Sequence, residues 1–135
     1  ARRAAALGLA PRLPAPYPIP DLELANRVAL VGLREGWGAA YLRETYRQWF
    51  EEGLVAGAEP NLARALDRAG AEPGAALEAA RGAATGAALA AETEAAAALG
   101  MFGVPTFVAE GELFWGDDRL EEATAWAQGD RPPGL

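Results

Sequence analysis

The sequence predicts a mostly α-helical chain of about five to six helices, ending in one β-hairpin and a C-terminal helix. Three observations predict it. Alanine, the best helix former, supplies 34 of the 135 residues. Sixteen glycines and ten prolines cut the Ala-rich runs into short segments. Past Met101 the pattern changes to two short apolar-rich runs around Glu110-Gly111, a two-residue hairpin signal. A chain of this length fits one domain and buries roughly two-thirds of its unfolded-state surface, and 51% hydrophobic residues suffice for a core. A net charge of only -7 with 8% aromatic residues separates it from disordered sequences.

Each element has a local reason. Residues 1–10 read as the last turns of a helix that closes at Gly8, with further sequence expected before Ala1. Prolines at 11, 14, 16, 18 and 20 keep the next segment extended and polyproline-like, a stiff connector rather than a helix or strand. An SH3 or WW ligand is the lesser alternative for it. Asp21 is placed to cap a helix over 22–34 with Leu22, Ala25, Val28, Ala29 and Gly32 on one face, broken by Gly36. Trp37, Tyr41, Leu42, Thr45, Tyr46, Trp49 and Phe50 then form a helical stripe, read first as a core anchor and second as a pocket wall.

Residues 60–69 predict a short helix capped by Asn61 and closed at Gly70. Glu72-Pro73 opens another to Arg81, and Thr85 or Gly86 opens a longer one through Leu99. Gly82 and Gly86 have the spacing of close backbone packing. After the hairpin runs 106–109 and 112–115, Asp118 is expected to cap the last helix, with Glu121 completing a capping box, and 129–135 form a tail.

Composition removes several chemistries. The sequence has neither Cys nor His, and all 12 basic residues are Arg. That leaves no thiol nucleophile, no cysteine zinc site, no imidazole base or ligand and no lysine Schiff base within these residues, and no metal site is expected. Nineteen acids against 12 bases disfavour nucleic-acid binding. No apolar run reaches the ~20 residues of a membrane span, and no signal peptide is evident, so a cytoplasmic protein is expected.

The functional signal lies in Gly100 to Glu122, GMFGVPTFVAEGELFWGDDRLEE. Alone, Val104-Pro105 reads as a trans proline opening an edge strand; a cis bond, which presents the preceding backbone to an extended peptide, is the other possibility. The wider block GxFGVPTF, hairpin, LFWGxDRLE resembles the C-terminal part of 2-hydroxychromene-2-carboxylate isomerases and kappa-class glutathione transferases, relatives of DsbA. ARRAAALGLAPRLPAPYPI resembles that family's connector, and YRQWFEEG with the Ala-rich helices resembles its helical insertion.

The resemblance implies an α/β thioredoxin-like fold with a helical insertion. It divides the chain into a connector (1–20), the insertion (21–99), a ββα part (100–128) and a tail (129–135). It places the first βαβ part, with the serine that holds the glutathione thiolate, before Ala1, so no catalytic residue is expected in this chain. It implies glutathione as cofactor, Val104 as the backbone partner of the cysteinyl unit, Pro105 as the cis proline, and Asp117 and Asp118 as receivers of the γ-glutamyl end. Asp117 departs from the uncharged polar residue relatives often carry.

Phe102, Phe114 and Trp115 are pocket candidates, but alternation along a strand puts one of the last two in the core. Trp37, Tyr41 and Trp49 are candidates from the helices, and Arg27, Arg34 and Arg43 are read as solvated. The implied function is glutathione-dependent isomerisation of an aromatic 2-oxo acid. A kappa-type transferase, a DsbA-like thiol-disulfide oxidoreductase and a non-catalytic helical interaction module are the alternatives. A hairpin without partner strands predicts a homo-oligomer or strand-exchanged assembly.

Overall fold

Local punctuation sets the element boundaries in the computed structural model, which describes residues 2–130. Among them are seven α-helices and one two-stranded antiparallel sheet. The chain divides into two units, 1–90 and 91–135, with the boundary inside the sixth helix.

In the first unit α1 (Arg2–Ala6) leads into a connector without helix or strand, where Leu13-Pro14 and Tyr17-Pro18 are cis. Asp21 accepts from the Leu24 N–H at 2.9 Å and starts α2 (Leu22–Glu35). α3 (Gly38–Arg47) follows at once and continues as a π-helical turn, Gln48–Glu52. α4 (Asn61–Ala69) and α5 (Pro73–Arg81) complete the bundle; the Glu72 carboxylate caps α5 through the N–H groups of Gly74 and Ala75, which hold its pKa below the usual range. α2, α3 and α4 end on left-handed glycines, α3 by way of its π turn.

The core of this unit is Val28, Tyr41, Leu62, Ala65, Leu66 and Ala80, all at most 3% exposed. α3 packs on both α2 and α4, and α2 also on α5. The tight α2–α3 turn depends on Gly32, where a Cβ would lie 2.5 Å from the Trp37 ring. Thr45 donates to Asn61 Oδ1 at 2.5 Å, while Asn61 Nδ2 donates to the Leu54 carbonyl at 2.9 Å and the Thr45 carbonyl at 3.1 Å. The connector is pinned where Trp49 Nε1 donates to the Pro16 carbonyl at 2.8 Å and the Arg12 N–H to that of Phe50 at 2.6 Å.

Several local expectations change. On α2 the buried face uses Leu24 and Val31, whereas Leu22 in the first turn is exposed. Asn61 does not cap α4: its side chain is drawn into the core, where Thr45 and Leu54 offer better-desolvated partners. α6 (Ala83–Ala98) starts two residues early, because the Thr85 hydroxyl bonds back to the Ala79 carbonyl at 2.7 Å instead of capping. Gly86 packs against the Arg27 guanidinium, not against another backbone.

In the second unit β1 (Thr106–Ala109) pairs with β2 (Glu112–Trp115) in the register Thr106↔Trp115 to Ala109↔Glu112. The turn residues Glu110 (φ 51°) and Gly111 (φ 87°) are both left-handed, as a two-residue type I′ connection requires. α7 (Leu120–Ala127) covers one face, closing a small core of Ala109, Phe114 and Ala123 with Phe107 and Trp126 against it. The tail expected over 129–135 lies, from residue 131, outside the described residues. No described helix is long and apolar enough to cross a membrane.

Candidate functional site

The hairpin register brings the residues flanking it together. Because Thr106 pairs with Trp115, Pro105 stands opposite Gly116, and the Gly116 N–H donates to the Pro105 carbonyl at 2.9 Å. The approach to β1 is a bend closed by the Thr106 hydroxyl on the Gly103 carbonyl at 2.5 Å. The Val104-Pro105 peptide in that bend is cis. Val104 is 87% exposed, and neither its N–H nor its C=O has a partner among the described residues. An unpaired donor and acceptor on one residue at a strand entrance is a place where extended backbone can dock.

Gly116 has φ 112° and ψ 150°, a conformation essentially closed to other residues. It also leaves room for Asp118, whose Oδ1 would lie 2.5 Å from a Cβ at that position. Here the expected capping box fails. The residues after Gly116 form a 3₁₀ turn, Asp117–Arg119, before α7 begins at Leu120 with no side-chain cap from Arg119. Asp118 therefore sits inside the first turn and folds back toward Gly116, whereas a cap must precede the helical N–H groups it serves. The Asp118 N–H has no partner among the described residues. Arg119 is occupied by Glu122 at 2.6 Å and stands over the Phe114 ring at 5.9 Å.

The aromatic candidates separate by burial. Phe114 is core at 5%, while Trp115, on the other face of β2, is 55% exposed and packs on Phe102 with ring centroids 5.0 Å apart. The Trp115 ring covers Gly103, where a Cβ would lie 2.6 Å from Nε1. Phe102, Val104 and Trp115 thus give this end of the hairpin an exposed apolar border beside the free Val104 backbone.

The helical candidates behave differently. Tyr41 is completely buried, a core residue as the first reading of the stripe has it, and burial pushes its phenol up to about 12; with Trp49 it also lines a small pocket of about 40 Å³. Trp37 packs edge-on against Tyr41 at 6.1 Å, and its Nε1 donates to Glu35 at 2.8 Å. Trp49 is tied to the connector. Arg27 pairs with Glu23, whereas Arg34 and Arg43 are exposed.

A larger cavity went unread in the sequence. It measures about 460 Å³, lies wholly in the first unit, and has Leu9, Pro11, Tyr46 and Phe50 among its walls. The helical stripe contained its rings, but periodicity gives a face, not what covers it. Among the described residues no group of acids is gathered in a way that could hold a metal ion.

Residues 1–125 match the DsbA-like thioredoxin domain. No curated protein matches the chain. Among solved structures, it is similar to a 2-hydroxychromene-2-carboxylate isomerase at 26% identity and a TM-score of 0.80, over 95% of this chain. The match spans 61% of that structure's own length. The fold is therefore thioredoxin-like with a mostly helical body, and the chain belongs to the DsbA-like thioredoxin family.

Proposed function

We propose that the intact protein is a glutathione-dependent isomerase of a 2-hydroxychromene-2-carboxylate-like aromatic 2-oxo acid, with the hairpin end of this chain holding the tripeptide. The likeness to a solved isomerase of that name supports the reaction class. The observation that carries the binding role is Val104, exposed and with both backbone polar groups unpaired.

The residues present fit the cofactor. Val104 offers an N–H and a C=O to the cysteinyl backbone in the manner of an added strand. The unpaired Asp118 N–H at a helix start suits the γ-glutamyl carboxylate, and the Asp118 side chain suits its ammonium. Trp115 and Phe102 border this place with apolar ring surface on one side. When bound, glutathione supplies a thiolate that adds reversibly to a conjugated carbon, so a double bond becomes single long enough to rotate. The role of this chain is to orient the peptide; no group in it serves as nucleophile or base.

Titration of the intact protein with reduced glutathione, followed by tryptophan fluorescence, tests the reading. A saturable response at millimolar ligand is expected, weakened about tenfold in Asp118→Ala by the loss of one charged hydrogen bond. Conversion of 2-hydroxychromene-2-carboxylate, followed by absorbance, should require glutathione. No saturable response, or glutathione-independent turnover, would overturn it.

A further inference from the structure

We propose that the polar recess between the start of α2 and the end of α5 binds a small zwitterion, an α-amino acid. The recess measures about 240 Å³ and is lined by Asp21, Glu23, Leu24, Arg27 and Arg81. That is below the roughly 300–1,000 Å³ of sites for drug-sized ligands, so its occupant is smaller. Leu24, the apolar member of the lining, is 8% exposed, so an apolar ligand finds little surface there.

The charges specify both ends of the ligand. Arg81 is exposed, and its guanidinium has no ion pair or hydrogen bond among the described residues. Arg27 gives Nη2 to Glu23, while its Nε is buried with no partner. Its fork is packed in place, since a Cβ on Gly86 would lie 2.7 Å from Nη2. A group already ordered in the free protein loses little further freedom on binding. One carboxylate can lie across the Arg81 fork through two parallel hydrogen bonds. On the acidic side, Asp21 uses Oδ1 to cap α2 and Glu23 uses Oε1 for Arg27. Each keeps one oxygen without a hydrogen bond among the described residues, and the pair suits an ammonium group. A simple anion would meet Asp21 and Glu23, and a simple cation would meet Arg27 and Arg81. A molecule carrying both charges a few bonds apart can turn each toward its opposite.

The recess lies within the first unit and does not rest on the glutathione reading, so the test omits glutathione and either conclusion can fail alone. Isothermal titration of the intact protein with L-alanine should give saturable one-to-one binding. N-acetyl-L-alanine, which lacks the ammonium, and L-alaninamide, which lacks the carboxylate, should each bind about tenfold more weakly. Arg81→Gln should weaken alanine about tenfold, the loss of one charge-assisted contact, and leave alaninamide unchanged. Glu23→Gln should weaken alanine and leave N-acetyl-L-alanine no weaker. Arg81 and Glu23 are both exposed, so the variants keep the fold, as their circular dichroism should verify. An absence of saturable binding would mean that Arg81 closes on Asp21 or Glu23 instead, and would overturn the proposal. So would N-acetyl-L-alanine binding as tightly as alanine, or an unchanged alanine affinity in Arg81→Gln.

Discussion

Replacing Asn61 by alanine removes the polar tie between α3 and α4. Asn61 is fully buried and makes three hydrogen bonds, with the Thr45 hydroxyl, the Thr45 carbonyl and the Leu54 carbonyl. Each contributes about 0.5–1.5 kcal/mol net, and the Thr45 hydroxyl, in a residue only 5% exposed, would be left without its acceptor at a further cost of about 1–3 kcal/mol. Taken singly these contributions span roughly 2.5–7.5 kcal/mol; because bonds within one network are not additive, roughly 3–5 kcal/mol is expected, at the severe end for a single substitution. Urea unfolding of the intact protein by far-UV circular dichroism should lower the midpoint by about 2 M, since slopes of roughly 1–3 kcal/mol/M are usual. Thr45→Val should cost little more once Asn61 is gone, a coupling within the 0.5–3 kcal/mol range of contacting pairs. A midpoint shift below about 0.5 M, on the same slope range, would refute the reasoning. Strictly additive single effects would do the same.

Glu44 gives a second prediction. Hydrogen bonds from Arg47, with the charges of Arg47 and Arg68, hold its carboxyl below the usual range. A depressed folded-state pKa contributes stability that is complete above the unfolded value, near 4.5, and is lost as pH falls through the folded one. Thermal midpoints should therefore drop below about pH 4.5, with a shallower drop in Glu44→Gln; identical pH profiles would contradict the pairing. Gly103→Ala concerns the hairpin end, where its Cβ would lie 2.6 Å from Trp115 Nε1. The ring must move away, so acrylamide quenching should rise in Gly103→Ala and not when Trp115→Phe is present as well. Unchanged quenching would mean that the backbone, not the ring, yields.

What sequence determined by itself was the local grammar. Asp21, Glu72, Gly36, Gly53 and Gly70 mark helix ends, and Glu110-Gly111 fixes the hairpin turn. Capping and left-handed φ act within about four residues, so those residues carry their own instructions. The block from Gly100 to Glu122 was legible as a family resemblance, and the DsbA-like match agrees with it.

Tertiary structure alone decided which face each residue meets. Tyr41 and Tyr46 lie on one helical stripe, yet one is completely buried and the other borders an open cavity. Asn61 reads as a cap and becomes a core cross-link, because its partner Thr45 lies 16 residues away. Asp118 reads as a cap until the strand register and the Gly116 N–H bond to Pro105 place a 3₁₀ turn ahead of α7. The physical reason is the same in each case: burial and hydrogen-bond choice depend on partners distant in sequence, and a local pattern does not encode which partner arrives.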